Sequence, residues 1–223
     1  MPHRFPRVRK KRMFTEVQFS APAGLRRAAT AYVRRAVAGS SPAPLTRDRS
    51  SRHSNLQRLE MELGYLLRPA GRRQPVAFAR ANAGMCEALV RQVLMALRGL
   101  FAAEALGGLL QKGCSVYVSL LAVEPGAAAQ EVHSDAPDKA KGSYTTVVVP
   151  LTGHRGQGTT EFARGGGFAV PRGDGAYAFD GRAAHRGGAN LSRGWRCALC
   201  VVVCKGGDPN RLGGGSTSWA GHF

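Results

Sequence analysis

Gln130-Glu131-Val132-His133-Ser134-Asp135 is the stretch of sequence on which the interpretation of this chain rests. Side chains two residues apart on a strand point to the same face, so His133 and Asp135 can reach one ion while Ser134 points away. Taken alone, the pair is a weak signal, because a histidine usually makes an ordinary hydrogen bond. A second histidine, His185, follows in a run of small residues and glycines. Two histidines and one carboxylate are the ligand set of a non-haem Fe(II) site.

The pattern around these residues predicts a mainly β domain. Short apolar runs divided by glycine and proline predict strands at about 115–123, 132–134, 144–151, 167–170, 176–179, 184–187 and 195–204. Upstream, apolar residues at helical spacing predict a helix over 85–110 and a shorter helix over 57–67. Strands that follow a helical region favour a β-sandwich or barrel with helices on one face.

The last predicted strand has two different faces. Alternation places Arg196, Ala198, Cys200 and Val202 on one face, where the small residues leave room for a ligand beside the arginine. The bulkier opposite face is predicted to pack against the helices. A buried arginine needs an anionic partner, and its planar fork matches a carboxylate. Arg193 is the competing candidate, but its loop contains glycine and serine, so we expect it to be solvated.

Together these features resemble the Fe(II)/2-oxoglutarate-dependent dioxygenase superfamily, nearest to its phytanoyl-CoA hydroxylase-like and prolyl hydroxylase-like branches. The resemblance covers about residues 114–206 and includes Pro125-Gly126, Gly158-Thr159-Thr160-Glu161-Phe162 and the segment from His185 to Arg196. Two features depart from the pattern. Residues 163–167 replace a Pro-Gly-Ser-His segment of many relatives, and Ala198 stands where some branches place a hydroxyl residue.

The resemblance implies an α+β, mainly β fold: a double-stranded β-helix, or jelly roll, with supporting N-terminal helices and a basic N-terminal arm. It implies that Fe(II) is bound by three metal ligands, His133, Asp135 and His185. The distal carboxylate of the cosubstrate 2-oxoglutarate would bind Arg196. The remaining cosubstrate-binding candidates lie on predicted strands and are Tyr117, Tyr144 and Thr146. The implied reaction hydroxylates an unidentified substrate and releases succinate and CO2, with ascorbate as reductant.

The charge of the chain is high and uneven. The formal net charge is +18, and residues 1–52 contain thirteen Lys or Arg against two acids, Glu16 and Asp48. This density attracts polyanions, so we expect an acidic or polyanionic partner such as RNA, DNA or an acidic protein. The run from Arg7 to Arg12 fits a nuclear-localisation or nucleic-acid patch, or a solvated tail. Residues 21–41 fit an organellar transit helix, a docking arm or a surface helix.

Cysteine usage and hydropathy predict an intracellular protein, without distinguishing nucleus, cytoplasm and organellar matrix. The chain has five cysteines, an odd number, and neither a secretory signal nor an apolar run long enough for a transmembrane helix. The cysteines near the end of the core could suggest a zinc site. However, Cys197 and Cys200 would face opposite sides of a strand, so we predict small buried thiols.

We expect three segments: a basic arm and linker at 1–54, the dioxygenase domain at 55–206 with its jelly-roll core at 114–206, and a Gly-rich tail at 207–223. The main alternative is a structural component of a nucleic-acid-rich assembly that has an oxygenase fold and is anchored by the basic arm. A weaker alternative is a cupin-like jelly roll that binds another metal without a keto acid. The inward-facing Arg196 argues against that reading.

Overall fold

The computed structural model describes residues 13–37, 46–47, 58–67, 87–103, 106, 114–136, 142–153, 158–172 and 174–206. These ranges contain two helices, α1 (Ala23–Val37) and α2 (Glu87–Ala102). They also contain ten strands: β1 (Thr15–Val17), β2 (Thr46–Arg47), β3 (Arg58–Leu67), β4 (Cys114–Val123), β5 (Ser143–Pro150), β6 (Thr160–Arg164), β7 (Gly167–Ala169), β8 (Ala176–Asp180), β9 (His185–Gly187) and β10 (Arg196–Lys205). Neither helix is long and apolar enough to span a membrane.

The strands form two antiparallel sheets. The larger sheet has seven strands in the order β1-β8-β5-β10-β4-β3-β2, and the smaller has three in the order β7-β6-β9. An isolated bridge between His133 and His185 adds one more pairing beside β9. Strands β6 and β7 are joined by Gly165 and Gly166, both at positive φ (53° and 86°), a conformation that glycine adopts without strain.

The helices cover one face of the larger sheet. Its alternate residues, including Val118, Val147 and Val201, share the main hydrophobic core with Leu25 of α1 and Leu89 of α2. Burial of these side chains is the dominant stabilising contribution of this layer. The predicted two faces of the last strand are confirmed, because Cys197, Leu199, Val201 and Val203 all belong to this core.

The other face of the larger sheet turns toward the smaller sheet. A second cluster there contains Val148, Phe162, Tyr177 and Phe179, contributed by strands of both sheets. Partly buried Ala198 and Cys200 pack against it from β10. The space between the sheets is therefore lined by the face that the sequence assigned to a ligand.

The predicted helix over 57–67 is wrong, because Arg58–Leu67 is the strand β3. It pairs with β4 in antiparallel register, from Arg58 opposite Val123 to Leu67 opposite Ser115. The sequence contained the correct signal: Leu59, Met61, Leu63, Tyr65 and Leu67 alternate with other residues at the period of a strand. Pairing with a ten-residue neighbour, β4, favours the extended form over the helical spacing of the leucines.

The other predicted elements differ from the structure mainly at their ends. The helix expected over 85–110 ends at Ala102, and the expected strand at 132–134 is a single bridge at His133. Strands β1, β2 and β6 were not predicted. The strands expected at 115–123, 144–151, 167–170, 176–179, 184–187 and 195–204 are confirmed within one residue at each end.

The N-terminal segment contributes to this fold. Strand β1 pairs with β8, with Thr15 opposite Ala178, and α1 supplies buried Leu25, Ala29, Tyr32 and Val33 to the main core. These residues fall inside the predicted arm at 1–54, so residues 15–37 belong to the packed layers and not to an appendage. The basic run at 7–12 and the predicted tail at 207–223 lie outside the described residues.

Candidate metal centre and cosubstrate pocket

The three predicted metal ligands come together between the sheets. Their potential ligand atoms all lie within 4.8 Å of one another. The Oδ1 atom of Asp135 is 3.4 Å from Nε2 of His185 and 3.9 Å from Nε2 of His133. Two donors about 2.1 Å from a shared metal are separated by about 3.0 Å at a right angle and about 4.2 Å when opposite. Both measured distances fall in that range.

Backbone pairing positions the two histidines. The N–H of His133 donates to the carbonyl of His185, and the N–H of His185 donates to that of His133, both at 2.8 Å. Their ring centroids are consequently only 4.6 Å apart. Sequence spacing predicted that His133 and Asp135 could share an ion; this bridge brings the third ligand to them.

Each histidine is also oriented through its other ring nitrogen. Nδ1 of His133 lies 2.9 Å from the carbonyl oxygen of Glu131, and Nδ1 of His185 lies 2.9 Å from that of Ala183. When Nδ1 carries the proton and donates it to the carbonyl, Nε2 presents its lone pair to a metal. The two imidazoles thus have the arrangement typical of metal ligands.

The carboxylate is held by a hydroxyl group. Thr146 on β5 donates from Oγ1 to Oδ2 of Asp135 at 2.6 Å, which leaves Oδ1 directed at the histidines. Burial raises the pKa of Asp135. Charge interaction with His185, hydrogen bonds from His185 and Thr146, and the charge of His133 more than offset burial and lower this pKa below its ordinary value. The carboxylate is therefore ionised at neutral pH.

The site is enclosed on one side and open on the other. His185 is buried, with its ring in edge contact with Phe179 at a centroid distance of 4.8 Å. The side chain of His133 is 40% exposed, and its neighbour Val132 is exposed as well. A molecule can therefore approach the ligand set from the His133 side.

Arg196 lies on the inner face of β10, as predicted. Its Nη1 donates to the carbonyl of Gly188 at 2.8 Å. Gly158, at positive φ, makes room for it, because a Cβ at this position would be 2.8 Å from that nitrogen. Burial lowers the pKa of Arg196, while Tyr177 and Glu161 act to raise it. An arginine remains charged at neutral pH despite such a shift.

A tyrosine and two threonines complete this part of the cavity, and sequence reasoning did not select them. The hydroxyl of Tyr177 donates to Oγ1 of Thr160 at 2.7 Å and lies 3.4 Å from that of Thr159. Burial raises the pKa of Tyr177, so it is a neutral donor. Alternation along the predicted strand at 176–179 could have placed Tyr177 on the ligand face with Phe179.

The remaining predicted cosubstrate residues have different positions. Thr146 contacts the candidate metal ligand Asp135. Tyr144 is buried against Ala136, Val202 and Cys204, with the Arg182 guanidinium 5.5 Å from its ring centroid. Tyr144 is therefore in a packing environment. Tyr117 lies on β4, but its side chain is outside the described residues.

The loop between β9 and β10 is fixed by a buried asparagine that the sequence analysis did not select. Nδ2 of Asn190 contacts the carbonyls of Val123, Glu124 and Gly194 at 2.9–3.0 Å. Its Oδ1 accepts a hydrogen bond from the hydroxyl of Ser192 at 2.8 Å. Asn190 thereby sets where β10, and with it Arg196, begins.

The three cysteines of β10 form no disulfide with one another or with another described residue. Cys197 and Cys204 are buried and Cys200 is half-buried. Burial raises the pKa of Cys197 to about 12, so this thiol stays protonated. No metal cluster in the described part of the chain includes a cysteine.

Comparison with solved structures identifies the fold. A Pseudomonas putida prolyl-4-hydroxylase superposes over 87% of this chain and 94% of its own, with a TM-score of 0.53 and 16% identity. SnoN, an epimerase determined with Fe3+, alpha ketoglutarate and nogalamycin RO, matches 86% of this chain and 79% of its own, with a TM-score of 0.56 and 17% identity. EvdMO1 matches 86% of this chain at a TM-score of 0.52 and 17% identity.

The chain spans about half of EvdMO1, 47% of its length. No protein-family model matches the chain, and no curated protein matches it by sequence. The structural similarity shows that this chain shares the fold of these solved enzymes. The two imidazole nitrogens and one carboxylate oxygen that converge within that fold are a donor set suited to a non-haem metal centre with open coordination positions.

Proposed function

We propose that this chain is an Fe(II)- and 2-oxoglutarate-dependent dioxygenase that hydroxylates a substrate and releases succinate and CO2. The observation that carries the proposal is the convergence of His133, Asp135 and His185 inside a jelly roll of the oxygenase type. Fold alone does not fix a reaction, but a ligand set held by its own hydrogen bonds is a feature of the site itself.

Residues of this chain would hold the metal in one orientation. Nε2 of each histidine and Oδ1 of Asp135 are the donors, and Thr146 keeps the second carboxylate oxygen turned away. Three protein ligands leave the remaining coordination positions for small molecules. When bound, Fe(II) would supply the activation of O2 that couples decarboxylation of the keto acid to substrate oxidation.

The cosubstrate would extend from the metal toward Arg196. Gly188, whose carbonyl accepts from Arg196, follows His185 by three residues, which is about 10 Å along a strand. Thr160, the partner of Tyr177, pairs with Gly187, two residues from His185, about 7 Å along the strand. A five-carbon dicarboxylate fits this separation, with one end at the metal and the other at Arg196, Tyr177 and Thr160.

Substrate would enter from the exposed side of His133. The aromatic ring of Phe179 and the buried Phe162 close the opposite side, so water has limited access to the reacting groups. The chain's part in the reaction is to position the substrate, hold the carboxylates and exclude competing reactions.

Calorimetry with Mn(II) as a redox-stable substitute for Fe(II) tests this proposal. We expect wild-type protein to bind Mn(II), and to bind 2-oxoglutarate only once the metal is present. His185→Ala should abolish metal binding. Arg196→Ala should leave metal binding intact and weaken 2-oxoglutarate binding by at least about tenfold, the loss of a charge-assisted bidentate contact.

Arg193→Ala is the matched control, because it removes one exposed arginine from the same segment. We expect it to bind 2-oxoglutarate as the wild type does. Equal weakening by Arg193→Ala and Arg196→Ala would assign the effect to general charge and contradict the proposed cosubstrate site.

A further inference from the structure

A surface pocket lies beside α1, on the helix-covered side of the larger sheet. Its volume is about 410 Å3. Its walls are one face of α1 and the segment that follows β5, with the lining residues Arg26, Arg27, Thr30, Ala31, Arg34, Leu151, Thr152 and Gly153. Sites for small molecules commonly occupy about 300–1,000 Å3, so this pocket is large enough for one unit of a polymeric ligand.

The pocket is strongly basic. Three of its lining residues are arginines, Arg26, Arg27 and Arg34. Helix α1 has no acidic residue in its first turn, and its last turn adds one more arginine, Arg35. The ion pairs of the described residues lie elsewhere, in the histidine–aspartate cluster and between Arg186 and Glu161. One carboxylate, Asp174, lies beside Gly153, 3.1 Å from the position of a Cβ there. The net charge of the described residues at the pocket is therefore positive.

The packing of α1 fixes the helix backbone that carries these arginines. Buried Leu25, Ala29 and Val33 fix the opposite face of the helix in the main core. Nε of Arg26 donates to the carbonyl of Ala21 at 3.1 Å, and the hydroxyl of Thr30 donates to the carbonyl of Arg26 at 2.9 Å. The pocket is therefore built on a rigid element.

The second wall adds a hydroxyl group that is tied to β10. Oγ1 of Thr152 accepts a hydrogen bond from the backbone N–H of Cys197 at 2.9 Å. The backbone N–H of Leu151 donates to the carbonyl of the same cysteine, also at 2.9 Å. Arginine and threonine side chains are among the groups that contact phosphate oxygens in nucleic-acid complexes.

We propose that this pocket binds the phosphate backbone of a nucleic-acid strand. Among the described lining residues every cation is arginine, whose fork binds phosphate in a bidentate manner. The arginine-bearing wall lies in the segment 1–52, which has thirteen basic and two acidic residues, and binding of such a segment to nucleic acid is favoured by counterion release. The described lining residues include no aromatic side chain, so we expect binding to be independent of base sequence.

Fluorescence anisotropy of the full chain with a labelled single-stranded RNA, and with DNA of the same mixed sequence, tests this inference. We expect wild-type affinity to fall steeply between about 50 and 200 mM salt. The double substitution Arg27→Ala/Arg34→Ala should weaken binding at least about tenfold and reduce the salt slope by about two. A scrambled sequence should bind equally well.

Arg91→Ala/Arg98→Ala is the matched control. It removes two exposed arginines with the same spacing from α2, and neither lines the pocket. We expect a change of less than about twofold. Circular dichroism melting should show that both double variants remain folded.

Three outcomes would overturn the inference: no binding of either nucleic acid by the wild type, equal weakening by the two double variants, or capture of poly-glutamate or phosphatidylserine vesicles with no capture of RNA or DNA. The last result would assign the surface to an acidic protein or a membrane. The measurement involves no metal or keto acid, so its failure leaves the proposed oxygenase reaction untouched.

Discussion

Asp135 is the residue through which the candidate site is organised. One of its oxygens faces both histidines, and the other accepts from Thr146 at 2.6 Å. A ligand carboxylate that is fixed in this way does not have to be ordered when the metal binds. The hydrogen bond from Thr146 should therefore contribute to metal affinity although threonine is not itself a ligand.

Replacement of Thr146 by valine tests this contribution. We expect Thr146→Val to weaken Mn(II) binding by about 10–100-fold in calorimetry, because the carboxylate loses the partner that orients it. Thr145→Val, on the opposite face of β5, is the control and should bind Mn(II) with wild-type affinity. If both variants bind as the wild type does, the hydroxyl has no role at the site.

The pH dependence of metal binding follows from the lowered pKa of Asp135. This carboxylate stays ionised as the pH falls below neutrality, and the imidazoles bind a metal only when neutral, so protons compete with the metal at the two histidines. We expect Mn(II) affinity measured by calorimetry to fall as the pH is lowered from neutrality, before the carboxylate takes up a proton. Affinity that is constant to pH 5 and lost only in the carboxyl range would contradict this order.

Single residues differ in how far the sequence could predict them. Alternation along an extended segment is a local rule, so it could place His133 and Asp135 on one face and Arg196 among small residues, while their proposed roles came from the family resemblance. Tyr177 and Thr160 meet across two sheets, and no local rule reports such a contact. The packing role of Tyr144 likewise depends on residues far away in the sequence.

At the scale of elements, the loop before β10 determines where Arg196 lies. Asn190 is fully buried and joins the end of β4 to both ends of this loop through Val123, Ser192 and Gly194. The side-chain amide of Asn190 thus supplies hydrogen bonds to backbone carbonyls that in a strand would come from a neighbouring strand. Loss of the amide would remove a hydrogen-bond donor from the carbonyls of Val123, Glu124 and Gly194 at once.

We expect Asn190→Ala to lower the free energy of unfolding by about 2–4 kcal/mol in urea denaturation. The same variant should lose affinity for 2-oxoglutarate, because the start of β10 is no longer fixed. Leu191→Ala is the control: this side chain is 80% exposed and should change stability by less than about 0.5 kcal/mol. A stable Asn190→Ala protein would show that the loop is held by other contacts.

Strands β3 and β10 show why a hydrophobic pattern can predict the wrong secondary structure in one segment and the right one in another. The leucines of residues 57–67 satisfy a helical spacing and a strand alternation at once, and pairing with β4 decides between them. The strand alternation of β10 has no competing pattern, because its glycine-free run of small and β-branched residues disfavours a helix. The sequence could therefore predict β10 and not β3.

At the scale of the whole molecule, α1 and α2 form one layer that supports the larger sheet. Leu25 and Leu100 are fully buried in the same core as Val118 and Val201 of the sheet. The basic helix α1 is thus attached to the larger sheet through packed side chains. This arrangement could not be predicted from composition, because a high positive charge is common to arms, tails and surface helices.

Leu25→Ala measures whether α1 belongs to the domain. We expect it to lower the free energy of unfolding by about 2–5 kcal/mol, as for a buried leucine in a packed core. Arg35→Ala, an exposed change on the same helix, should alter stability by less than about 0.5 kcal/mol. A wild-type melting curve for Leu25→Ala would support the original division at residue 55.

Succinate release from 2-oxoglutarate by the purified protein, with Fe(II), O2 and ascorbate, tests the central claim most directly. We predict a slow release without prime substrate that is abolished in His185→Ala and Arg196→Ala and kept in Arg193→Ala. The claim would be contradicted if the wild type, with Fe(II) bound, released no more succinate than His185→Ala and also failed to bind 2-oxoglutarate.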